Sequence, residues 1–171
     1  MIVRKPDETT LSEYYRSYMK YVPGDDVLAA LISQQTELKN FFGSIPKEKE
    51  TFAYAPGKWT IRELLGHLCD TERILSYRAL RISRNDTTPL PGFEENDYAR
   101  EANYKSRNLD DILQELLAVR ETTIQLYSHM DEAWFDRSAI VNNTKQTVRA
   151  LLFFTVGHAA HHSAIVAERY L

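Results

Sequence analysis

Residues 60–84, TIRELLGHLCDTERILSYRALRISR, decide the fold. Ile61, Leu64, Leu65, Leu68, Leu75, Ala79 and Ile82 recur at the spacing of an amphipathic helix. Thr60 and Glu63 form a Thr-x-x-Glu capping box directly before that run, so the helix has a defined start as well as a period. Two residues break the apolar logic. His67 lies roughly 90–100° from the stripe centre, at a seam between helices, and Glu72 falls in the stripe itself. A carboxylate on an apolar face costs several kcal/mol unless it is paired or coordinated. Glu72 therefore reads either as an ion-pair partner of Arg73, Arg78 or an arginine on another helix, or as a group with a role at a site.

Outward from this helix, Pro23-Gly24, Gly43, Pro46, Pro56-Gly57, Pro89 and Pro91-Gly92 punctuate the chain, and the stretches between them have helical length and pattern. A short amphipathic piece at about 9–20 precedes a first long helix at about 25–43. A polar connection at 85–107 follows the quoted helix. It is longer than most loops, so DYAREANY (97–104) is expected to form a short helix within it. Asn108 caps a third long helix at about 109–129, with Asp110 and Asp111 in its first turn. Asn142-Asn143 marks a turn, with a small hairpin as one reading, and Thr147 caps a last helix at about 148–170. The expected fold is all-α: one domain over 1–171, a four-helix bundle with a long crossover connection and a short extra N-terminal helix.

Composition narrows the function. A net charge of −3, with no Lys/Arg stripe, argues against nucleic-acid binding. The single cysteine, Cys69, allows no intramolecular disulfide and fits a reducing, cytoplasmic location. The N-terminal residues are polar where a signal peptide needs an apolar run. No stretch approaches the roughly 18 apolar residues of a membrane span.

The last helix carries His158 and His162 at i, i+4, which places two imidazoles on one face about a turn apart. The wheel puts His162 inside the apolar stripe and His158 at its edge, about 40° away, with His161 on the flank. A third imidazole from His67 would complete a facial three-histidine set, a ligand inventory found in catalytic zinc sites. The alternative is that each is a buried histidine satisfied by its own hydrogen bonds. Asp70 and Thr71 lie on or near the face of His67, where either could orient its ring. Cys69 points elsewhere and reads as a small buried thiol. His129 fits the C-terminal helix dipole, and Trp59 and Trp134 read as packing anchors.

PGKWTIRELLGHLCDTERILSYRALR and GHAAHHSAIVAERYL together resemble the two signatures of the DinB-like (DinB/YfiT-like) metalloenzymes: a Trp before a capped helix with the first histidine, and a terminal helix with His-x-x-x-His. The resemblance covers the chain from about Lys58 onward. It implies a four-helix bundle holding a divalent metal, nickel or zinc or similar, on His67, His158 and His162, with His161 as the frequent extra histidine. It also implies homodimers and a metal-dependent enzyme of the thiol S-transferase or hydrolase type, which activates a low-molecular-weight thiol or a water against a small electrophilic substrate. Where relatives often carry Arg-x-Gln after the last histidine, this chain has Ser163-Ala164-Ile165, so no role for that glutamine carries over. On this reading Glu72 or Asp70 serves as orienter or proton acceptor, and Phe93, Tyr98 and His161 wall a substrate pocket. A non-catalytic bundle, binding metal or a partner structurally, is the alternative.

Overall fold

The computed structural model describes all 171 residues. Its helices are α1 (Glu13–Arg16), α2 (Val27–Gly43), α3 (Ile61–Ser83), α4 (Glu95–Glu101), α5 (Leu109–Ser128) and α6 (Val148–Arg169). A two-stranded hairpin, β1 (Ser138–Val141) and β2 (Thr144–Thr147), leads into α6. Each long helix starts on a side-chain cap. Asp26 accepts from the Leu28 and Ala29 amides, Thr60 and Glu63 complete the reciprocal box, Asn108 accepts from Asp111 N and Thr147 from Ala150 N. These bonds satisfy amide donors that a helix start otherwise leaves orphaned.

α2, α3, α5 and α6 form the bundle. α3 packs on α5 and α6, and α2 packs on the same two, so α2 and α3 stand on one diagonal and α5 and α6 on the other. The connections 44–60 and 129–147 therefore cross the end of the bundle, while the long 84–108 stretch joins neighbours. That stretch carries α4 and is stitched to the hairpin at Leu90, which donates to Ile140 O and accepts from Asn142 N, both at 2.9 Å. Asn142 and Asn143 have φ of 48° and 62°. Asparagine tolerates this left-handed region, and two such residues make the turn that matches the twist of a tight hairpin.

The N-terminal segment departs from the single short helix expected at 9–20. It is broken into 3-10 turns at Glu8–Thr10 and Met19–Tyr21 around the four-residue α1. Ser12 turns its hydroxyl to the Tyr15 amide and Ser17 turns its hydroxyl to the Tyr14 carbonyl, local bonds that compete with a continuous helix. The segment is held instead by aromatic packing on α6: Tyr15 stacks on Phe154 with ring centroids 4.3 Å apart. α6 is also long and apolar enough to cross a membrane by length and composition, contrary to the expectation that no stretch comes near this. Most of that window is buried inside the bundle, the pattern of a core helix.

A polar layer divides the core in two. On one side lie Leu31, Leu75, Ile124 and Val156, and on the other Leu38, Leu68, Leu116 and Ala159. Between them Arg120, 0% exposed, donates Nε and Nη2 to the two oxygens of Glu72 at 2.7 and 2.8 Å. Its Nη1 reaches Gln34 Oε1 at 2.8 Å, and Gln34 Nε2 donates to the Val156 carbonyl at 2.9 Å. One network thus touches all four bundle helices, and it explains the carboxylate in the apolar stripe. The partner of Glu72 is an arginine on another helix, not Arg73 or Arg78.

Candidate metal centre

α3 and α6 are neighbours, and their packing brings His67 opposite His158. His67 Nε2 lies 3.1 Å from His158 Nε2, which in turn lies 3.1 Å from His162 Nε2, and the three nitrogens all fall within 4.8 Å of one another. A hydrogen-bonded cluster does not account for this geometry. An imidazole nitrogen has either one in-plane lone pair or one N–H, so His158 Nε2 can bond at most one of its two neighbours. Three lone pairs aimed at one cation remove the conflict. With metal–nitrogen bonds of about 2.0–2.1 Å, a 3.1 Å nitrogen separation corresponds to an angle of about 95–100° at the ion, between octahedral and tetrahedral values. The residues fit a divalent metal.

The protonation states agree. Burial pushes His67 down to about 4. Burial, then the neighbouring His67 and His161, pushes His162 down to about 3. His158 is also held well below the usual range, by burial first and then by the other three imidazoles. All three are neutral near pH 7, the form that binds metal. With Nε2 facing the common point, His67 Nδ1–H faces Thr71 Oγ1 at 3.4 Å, a long contact from the following helical turn. Trp59, immediately before the helix cap, lays its ring against His67 with centroids 4.7 Å apart.

Glycine precedes a histidine of the cluster in both helices, and in both cases another segment crosses the helix closely. A Cβ on Gly66 would meet the Tyr104 ring at 2.2 Å, and one on Gly157 would meet Tyr18 Cβ at 2.9 Å. Tyr104 then donates its hydroxyl to Asp70 Oδ1 at 2.9 Å.

The nitrogens open onto a cavity of about 650 Å³ walled by the N-terminal tyrosines, α3, the long connection, the hairpin and α6. His161 and Phe93 line it. Tyr98 does not; it is exposed and packs its ring on Phe93. Asp70 and Glu72 also lie off this wall, the first bonded to Tyr104 and the second to Arg120, so Thr71 is the α3 side chain that meets the His67 ring. Cys69 is fully buried, its thiol toward the Ile112 carbonyl, and burial pushes that thiol far up. His129 caps its helix by contact with Gln125 O at 2.8 Å. Sequence reasoning missed Trp59, Tyr15, Tyr18, Arg78 and Gln146 as cavity residues. Only Trp59 carried a local signal, its position one residue before the cap of the His67 helix.

Comparison with known proteins gives concordant results. A curated relative from Geobacillus thermodenitrificans (strain NG80-2), named "Putative metal-dependent hydrolase", is 24% identical over 139 residues, spanning 80% of this chain and 78% of that protein. The solved structure of YfiT from Bacillus subtilis, described as "a probable metal-dependent hydrolase with an unusual four-helix bundle topology", matches with a TM-score of 0.76 at 20% identity. It covers 96% of this chain and 90% of that one, a likeness of fold. The DinB superfamily model matches residues 12–166, from Ser12 on the cavity wall to Val166 in the core of α6. This chain belongs to the DinB superfamily.

Proposed function

We propose that the protein is a metal-dependent hydrolase of a small substrate. The observation that carries this reading is the set of three neutral imidazole nitrogens around one point on the wall of a roughly 650 Å³ cavity. His67, His158 and His162 would hold the ion from one side and leave further coordination positions towards the cavity, as in catalytic and unlike structural zinc sites. A divalent cation there supplies Lewis acidity that polarises a carbonyl and brings a water towards neutral pKa. An all-nitrogen donor set suits zinc or nickel better than magnesium or calcium. The curated relative's name agrees with this reading.

The chain's own groups have distinct parts. Thr71 and Trp59 fix the ring of His67, and Trp59 covers that flank against water. His161 lines the cavity beside His162 and stands outside the three-histidine cluster, so it is the imidazole placed to take or give a proton. In this reading the nucleophile is water. A low-molecular-weight thiol entering the same cavity is the alternative, and would make the reaction an S-transfer.

The test is a zinc and nickel titration of wild type, His162→Ala and His161→Gln, with an ester and amide hydrolysis screen run with and without added thiols. Wild type should bind one ion per chain, His162→Ala about 100-fold more weakly, and His161→Gln normally but with turnover lowered by about 100-fold or more. Equal, weak binding by wild type and His162→Ala would refute the metal reading. Turnover that depends on a thiol would replace water as the nucleophile.

A further inference from the structure

α3 carries a second functional group on the face of His67. Eleven residues on, about 20° round the helix and about 16 Å along its axis, Arg78 lines the same cavity. It is only 8% exposed. The other buried arginine shows how this protein satisfies a guanidinium in a structural role: Arg120 has both Glu72 oxygens, Gln34 and the Leu31 carbonyl. Arg78 has one hydrogen bond, Nη2 to the Pro91 carbonyl at 2.7 Å, and the Phe93 ring 5.8 Å from its central carbon. The charged or ionisable groups it feels are the phenols of Tyr15 and Tyr98 and no carboxylate. Glu95 is the one carboxylate among the lining residues; it is exposed, and no ion pair joins it to Arg78. The guanidinium has no counter-charge, and most of its five N–H donors have no acceptor within the chain and remain accessible on the cavity wall.

We propose that Arg78 docks a carboxylate on the far end of the substrate, so that the protein acts on small organic acids whose reacting bond lies at the histidine end. A carboxylate matches the planar fork of a guanidinium with two parallel hydrogen bonds. A single charge also matches the count. Arg78 is the only Lys or Arg on the cavity wall, where a phosphate dianion calls for more than one cation or a nest of backbone amides. Gln146, buried on the β2 wall, adds a neutral amide to the lining. The rival is that Arg78 simply latches the long connection through Pro91.

This inference rests on the hydrolase reading only for which end reacts, and its test needs no metal. Metal-free full-length wild type, Arg78→Met and Arg78→Lys are titrated with 4-phenylbutyrate, its primary amide and phenyl phosphate. Binding is followed by heat and by the ¹⁵N–¹H resonance of Arg78 Nε, and thermal melts are recorded for each variant. Wild type should prefer the acid over the amide by about tenfold or more, and the Arg78 resonance should move with the acid alone. Arg78→Met should lose that preference with a midpoint equal to or above wild type, and Arg78→Lys should keep part of it. Equal affinity for acid and amide in wild type would overturn the proposal. So would a preference that survives in Arg78→Met, an unmoved Arg78 resonance, or tighter binding of phenyl phosphate. If Arg78→Met fails to fold, the wild-type resonance still decides. Failure of the zinc titration would refute the hydrolase reading and leave the acid preference standing.

Discussion

Replacing Glu72 with Gln tests whether this residue acts in the core or at the histidine site. The change keeps the shape and removes the charge opposite Arg120, which is 0% exposed and has no other carboxylate partner. Leaving a buried ion without its partner costs about 3–5 kcal/mol. The glutamine oxygen still accepts one bond, so the lower end, about 3 kcal/mol, is expected. For a chain of this length each kcal/mol lowers the midpoint by about 2–4 °C, which gives a fall of about 6–12 °C. Circular dichroism melts of metal-free wild type, Glu72→Gln, Arg120→Leu and the double variant measure it. The double variant should be far less destabilised than the sum of the singles, because it removes both charges together. Zinc affinity of Glu72→Gln, measured well below its midpoint, should stay within about threefold of wild type, since neither oxygen faces the cavity. A loss of turnover or of metal affinity with an unchanged midpoint would refute this assignment and place Glu72 in the site chemistry.

Acid should destabilise the metal-free protein in a defined window. His67 has a folded pKa of about 4 against an ordinary 6.5, so the unfolded chain binds the extra proton first; stability is intact above about pH 6.5 and falls as pH drops towards 4. At pH 5 this one residue accounts for about 2 kcal/mol, and urea unfolding at pH 7 and pH 5 should show a smaller loss in His67→Gln than in wild type. Gly66→Ala gains helix propensity, about 1 kcal/mol, but drives a methyl into the Tyr104 ring at an overpacking cost of about 1–3 kcal/mol, so a net loss of up to about 2 kcal/mol is expected by chemical denaturation. A gain in stability there would show that Tyr104 yields freely.

The parts of this molecule that could be read from sequence are those governed by local rules. Thr60, Asn108 and Thr147 announce helix starts because a cap and its amide lie within three residues. The His158/His162 pair was legible because i, i+4 fixes a direction. His67 came from its seam position together with the family signature. Partners set by packing were hidden. Nothing near Glu72 names Arg120, 48 residues away, as its counter-ion. Nothing near Arg78 says that it has none. The tyrosines at 14, 15 and 18 have helical spacing, but their conformation is decided by Phe154, far along the chain. The diagonal placement of consecutive helices is likewise a property of the whole bundle, invisible to periodicity.

α3 runs without interruption from Ile61 to Ser83, so His67 and Arg78 stand on one rigid rod. Where two halves of a site sit on separate elements, loop or domain motion lets the span between them vary. Here the span is set by helical rise, about 1.5 Å for each intervening residue. The rod acts as a ruler: substrates shorter or longer than the interval lose one end or the other, however well each end fits alone. The ruler is graduated in whole residues. One inserted residue would lengthen it by only about 1.5 Å but swing Arg78 about 100° away from the cavity, so substrate length cannot drift by single-residue insertions between these two positions.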